Sequence, residues 1–102
     1  MKVAEDSRFL CLIPYDPAEG ISLSIAARRA GKSENTIRNW CEAHGLGRRV
    51  GGWTWRVSQV ALAMFLEDDH IALCSYLSGD RTSPVVVAYF QRFGLRSQSI
   101  QS

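Results

Sequence analysis

The side chains of this chain whose type and spacing can do chemistry cluster in Ser33-Glu-Asn-Thr-Ile-Arg-Asn-Trp-Cys-Glu-Ala-His-Gly45, and that chemistry is recognition. Ser33 can cap a helix by accepting from the free amides of Asn35 or Thr36, and Gly45 can end it. Inside it Ile37, Trp40 and Cys41 fall at i, i+3 and i+4 and make one apolar stripe. The opposite face carries Asn35, Arg38, Asn39 and Glu42. Asparagine can pair bidentately with adenine, and arginine with guanine or a phosphate. Every amphipathic helix has a polar side, so this face becomes a reader only in the right surroundings.

Bond-making chemistry finds little support. The histidines are His44 and His70, and no residues supply a nucleophile with its base and orienter, a phosphate-cradling glycine motif or paired carboxylates. The expectation is a protein that is not an enzyme and needs no cofactor. Cys41 and His44 have metal-ligand spacing, but no second ligand pair follows. Cys11, Cys41 and Cys74 are odd in number, far apart and set among apolar neighbours, which predicts reduced core residues of a cytosolic protein. Lys2 is followed by Glu5, Asp6 and Arg8 rather than by an apolar run, so no secretory signal is expected. No apolar run approaches the roughly twenty residues that span a bilayer.

The surroundings of the polar face are cationic. Residues 28 to 56 hold seven cations, Arg28, Arg29, Lys32, Arg38, Arg48, Arg49 and Arg56, against Glu34 and Glu42, while the rest of the chain has five cations and eight carboxylates. A basic centre on an otherwise acidic chain predicts a polyanionic partner met by one face. Before the polar helix, Ser22 or Ser24 can cap a first helix through Ile25, Ala26, Ala27 and Ala30 that stops at Gly31. After it comes a ribbon, Gly47-Arg48-Arg49-Val50, then Gly51-Gly52, then Trp53-Thr54-Trp55-Arg56-Val57. Two glycines between alternating segments signal a two-residue hairpin turn. Alternation puts Trp53, Trp55 and Val57 on one face and Thr54 and Arg56 on the other, so that Arg48, Arg49 and Arg56 project from the hairpin. The first face packs onto the helices or, for a tryptophan near the tip, lies against a sugar-phosphate edge. Ser58 then caps a helix from Gln59 to Glu67, with Val60, Ala61, Met64 and Phe65 closing the core.

These motifs together carry a resemblance. LSIAARRAGKSENTIRNWCEAHGLGRRVGGWTWRVSQVALAMFLE, residues 23 to 67, resembles the winged helix-turn-helix domain shared by phage and integrative-element excisionases and the DNA-binding domain of MerR-type regulators. The shared pattern is a Leu-Ser start, small alanines, Gly-x-Ser at the turn, Thr-Ile-x-x-Trp in the second helix, a basic glycine-turned wing and a Trp-Arg-Val strand. The resemblance implies double-stranded DNA contact through Lys32, Ser33, Asn35, Thr36, Arg38 and Asn39, and through Arg48, Arg49, Thr54 and Arg56 of the wing. It implies a recombination directionality factor, cytoplasmic in a bacterial nucleoid or phage-infected host, which binds and bends attachment-site DNA cooperatively and works with a tyrosine-recombinase integrase. The long dimerising coiled coil and effector domain of MerR-type regulators have no counterpart here. A transcriptional regulator, a small terminase subunit and, outside DNA binding, a protein-binding adaptor or antiactivator are the alternatives.

The expected fold is mostly α with a small β-hairpin wing, a winged helix-turn-helix plus a C-terminal helical extension. Its parts are an arm over 1–20 with a short strand at Phe9–Ile13, the DNA-binding domain over 21–68, the extension over 69–94 and a disordered tail over 95–102. In the extension, Ile71–Leu77 reads as a helix. Ser83, Pro84 and Gly94 favour another around Val85-Val86-Val87-Ala88-Tyr89-Phe90, although the valine run leans toward strand. That apolar excess implies either a larger core or a face for self-association.

Overall fold

Serine, aspartate and glycine punctuate the chain, and a computed structural model, which describes residues 9–52 and 54–95, shows where each boundary falls. After a two-residue strand, β1 (Gly20–Ile21), the Ser22 hydroxyl accepts from the Ile25 amide at 3.1 Å and opens α1 (Leu23–Ala30). Gly31 closes it at φ 70, a left-handed conformation that glycine adopts without a Cβ penalty. Ser33 opens α2 (Glu34–His44), so the two helices are separated by three residues. The hairpin follows as β2 (Gly47–Val50) and β3 (Thr54–Ser58). Ser58 caps α3 (Gln59–Leu66) and Asp69 caps α4 (His70–Leu77). Pro84 sits in the first turn of α5 (Pro84–Arg92). The valine run is therefore helical, and its 3.6-residue period turns Val86, Tyr89 and Phe90 inward.

Among the described residues the architecture is five helices and a three-stranded antiparallel sheet of order β1-β3-β2. One apolar cluster runs through it. Ala26, Ile37, Cys41, Leu46, Val57, Val60 and Met64 join Ala72, Tyr76, Val86 and Phe90 in the same core. Helices α4 and α5 thus supply core to the region before them, answering the choice between a larger core and an association face for most of their apolar residues. Ile71 and Val85 remain outside, 76% and 45% exposed.

Four expectations need correction. Phe9–Ile13 is not a strand: the segment turns, with Leu12 at φ 58 and a cis bond between Ile13 and Pro14. The reason is how its backbone is satisfied. The Leu10 amide donates to Leu77 O at 2.9 Å, the Leu12 amide to the Tyr76 hydroxyl at 2.9 Å, and the Leu10 and Ile13 carbonyls accept from Arg81 at 2.7 and 2.9 Å. With those groups partnered across the core, no neighbouring strand is required. Cys74 is exposed, whereas Cys11 and Cys41 are buried as expected. The hairpin register pairs Val50 with Thr54 and Arg49 with Trp55, one step from what a two-residue turn would give. The tail expected to be disordered over 95–102 does not begin at Leu95, which donates its amide to Phe90 O at 2.8 Å and packs against the core. Its residues 96–102, residues 1–8 of the arm and the placement of Trp53 lie outside the described residues. No helix among the described residues is long and apolar enough to cross a membrane.

Candidate nucleic-acid interface

Burial of Ile37 and Cys41 fixes which side of α2 faces outward. Trp40 and His44 add to this, each stacking on Phe65 of α3 with centroids 4.8 and 4.9 Å apart. Lys32, Asn35 and Asn39 are exposed on the other side and Arg38 is half-buried. At the helix start the Ser33 hydroxyl accepts from the Thr36 amide at 3.1 Å and donates to the Thr36 hydroxyl at 3.0 Å. These two predicted contacts are therefore engaged in the cap. One turn on, the Arg38 Nη1 donates to the Asn35 Oδ1 at 3.0 Å. Arg28 and Arg29 stand exposed near the end of α1, and Arg29 reaches Gln59 Oε1 at 2.9 Å.

The hairpin roots on α2 through Gly47. A Cβ there would lie 2.4 Å from the Arg56 carbonyl oxygen and 2.8 Å from the Cys41 Sγ, so only glycine allows this approach. Opposite residues in an antiparallel pair share a face, which puts Arg48 with Arg56 and Arg49 with Trp55. Arg49 is exposed, with its guanidinium 5.4 Å from the Trp55 ring centroid. Thr54 is exposed beside the turn.

Arg56 departs from its predicted place. It does not project: it is half-buried, as is Arg48 opposite it, and its Nη2 donates to Gly20 O at 3.0 Å, which leaves Arg49 as the exposed cation of the three. β1 lies along β3 at this point, so a carbonyl of the arm intercepts the guanidinium. Arg48 and Arg49 themselves belong to opposite faces of the ribbon. The structure thus brings together Ser33 with Thr36, Asn35 with Arg38 and, across the ribbon, Arg48 with Arg56, and it sets Arg49 apart on the other face.

Sequence reasoning missed a buried polar cluster behind the hairpin. Glu19 is 2% exposed, and its Oε2 accepts from the Ser58 hydroxyl at 2.5 Å and from the Tyr76 hydroxyl. Burial raises the Glu19 carboxyl above the ordinary carboxylate range, against the lowering effect of those two donors. Arg81, 4% exposed, donates to four carbonyls, those of Tyr76, Asp80, Leu10 and Ile13, and lies 4.0 Å from the Tyr76 ring centroid. Nothing local signals either role, because Glu19 meets partners 39 and 57 positions away. Burial also pushes the Cys11 and Cys41 thiols up to about 12, so both stay protonated and unreactive near neutral pH. No group of His, Cys, Asp and Glu residues able to hold a metal ion occurs among the described residues.

Comparisons with protein-family models, with curated proteins and with solved structures find no match.

Proposed function

We propose that this chain is a sequence-specific double-stranded DNA-binding protein of the winged helix-turn-helix type, with α2 as its reading helix and β2–β3 as its wing. The observation that carries the reading is the outward face of α2, where Asn35, Arg38 and Asn39 stand on a helix fixed from behind by Ile37 and Cys41, with Lys32 exposed in the turn before it. Its neighbours add charge of the right sign: Arg28 and Arg29 on α1, Arg48 and Arg49 on the hairpin. Phosphate contacts would come from these arginines and base contacts from α2. Within that class, the resemblance in residues 23 to 67 favours an excisionase-like recombination directionality factor. Such a protein binds and bends attachment-site DNA so that an integrase excises the element, and itself breaks no bond.

One observation favours a second reading, a transcriptional regulator. Most apolar side chains of residues 70 to 93 are taken into the core, which removes the broad apolar face that cooperative assembly along DNA would have used. Footprinting of the full chain on the DNA flanking its own coding sequence separates the two. Several phased sites beside a recombination core support the directionality factor, and a single promoter site supports the regulator. Absence of protection on any duplex at low salt refutes both.

A further inference from the structure

Asn35 and Arg38 are candidates for reading two bases, yet their side chains are joined to each other. We infer that Asn35 is a positioning residue that holds the Arg38 guanidinium toward one guanine and reads no adenine itself. The inference rests on the DNA-binding reading above.

Asparagine recognises adenine with both ends of its carboxamide, the oxygen accepting from the N6 amine and the nitrogen donating to N7. The Asn35 Oδ1 accepts from the Arg38 Nη1 at 3.0 Å, so the acceptor half of that pattern is engaged. That bond takes one of the two lone pairs of the oxygen and fixes the direction of the carboxamide, so the amide is set to hold Arg38 and is not free to turn both its ends to a base. Arginine, by contrast, has five N–H donors. One directed at Asn35 leaves a pair for the guanine O6 and N7, the commonest specific contact in the major groove.

Position and freedom point the same way. Ser33 and Thr36 fix the first turn of α2, and Arg38 stands in the next, within the N-terminal part of a reading helix that approaches base edges. Arg38 is half-buried and tethered at its tip, so it has less rotamer freedom left to lose on binding. Asn39 is exposed and its carboxamide makes no hydrogen bond among the described residues. It is the internal comparison: an amide next to Arg38 with no part in holding it.

The test is selection from a pool of duplexes with a randomised central segment, using the full chain and the variants Arg38→Ala, Asn35→Ala, Asn35→Asp and Asn39→Ala. The original chain should enrich one guanine. Arg38→Ala should equalise the four bases at that position and weaken the enriched duplex by roughly fivefold to a hundredfold. Asn35→Ala should weaken the preference for the same guanine, whereas Asn39→Ala, at a residue with a proposed DNA contact of its own, should lower affinity without shifting the preference at that position. Asn35→Asp keeps an acceptor for Arg38, so it should retain the guanine preference while its added charge lowers affinity for every duplex. Loss of an adenine at a separate position in Asn35→Ala, with the guanine unchanged, would overturn the inference. So would an equal loss on all duplexes in Arg38→Ala, which makes Arg38 a phosphate contact. Failure of the original chain to bind any duplex would remove the DNA-binding reading itself, an outcome distinct from the other two.

Discussion

A guanidinium donating to a carbonyl of its own chain has less to offer a phosphate than one facing solvent. Arg56 is held by Gly20 O, while Arg49 is exposed over Trp55. Replacing Arg48 and Arg49 together by alanine is therefore expected to reduce the slope of log affinity against log salt by roughly two. Arg56→Ala should change that slope by less than one and instead lower the thermal midpoint; salt titrations and melting curves on the same proteins check both. Glu19 makes a second prediction. Its carboxyl is raised by burial, so the folded state holds the proton more tightly than the unfolded chain. That contribution to stability is complete below the unfolded carboxylate value and is lost as pH rises through the raised one. Glu19→Gln has no proton to lose, so its stability relative to the original chain should improve as pH rises from the ordinary carboxylate value through the raised one, read from urea midpoints. At this scale the polar stripe of α2 was legible, because Ile37, Trp40 and Cys41 mark its opposite side. The capture of Arg56 was not, since its partner is a backbone carbonyl 36 positions away that carries no residue-type signature.

Helix boundaries were the most readable elements, and for a local reason: a cap joins residues three apart. Ser33 with Thr36 and Ser58 with Ala61 are pairs of this kind, and the side-chain oxygen that makes the bond is visible in the residue type. The arm at Phe9–Ile13 was misread because its apolar run looks like a strand, while its carbonyls are satisfied by a side chain from residue 81. The hairpin was legible as a hairpin through Gly51 and Gly52, at φ 73 and 90, but not in its register. Its approach to α2 supplies the prediction for this scale. Gly47→Ala would force its Cβ against the Arg56 carbonyl and the Cys41 sulfur, both held by the core. A cost of about 1–3 kcal/mol is expected from such overpacking, with the hairpin displaced from α2. Urea unfolding measures the first, and a parallel loss of affinity for duplex DNA would show that the hairpin's placement matters for the proposed binding.

Across the whole molecule, the surprise is how far the last two helices enter the core. Residues 70 to 93 were legible as apolar helices, yet helical spacing says nothing about which surface an apolar face will meet. Tyr76, fully buried, reaches Leu12 and Glu19, and Phe90 packs 6.1 Å from its ring. Deleting residues 70–102 should therefore abolish the cooperative unfolding transition instead of yielding a trimmed DNA-binding unit; calorimetry of the shortened chain is the check. Arg81→Met should destabilise the full chain by about 3 kcal/mol or more, because it leaves several buried carbonyls without a donor. The same arginine also governs the order of assembly. Its bond to Leu10 closes a loop of 71 residues, a long-range contact that repays its entropy only after much of the chain has collapsed. As the chain leaves the ribosome, the arm must wait with its carbonyls in water until residue 81 has emerged, so everything that the arm braces gains its final support only after the chain has been made that far.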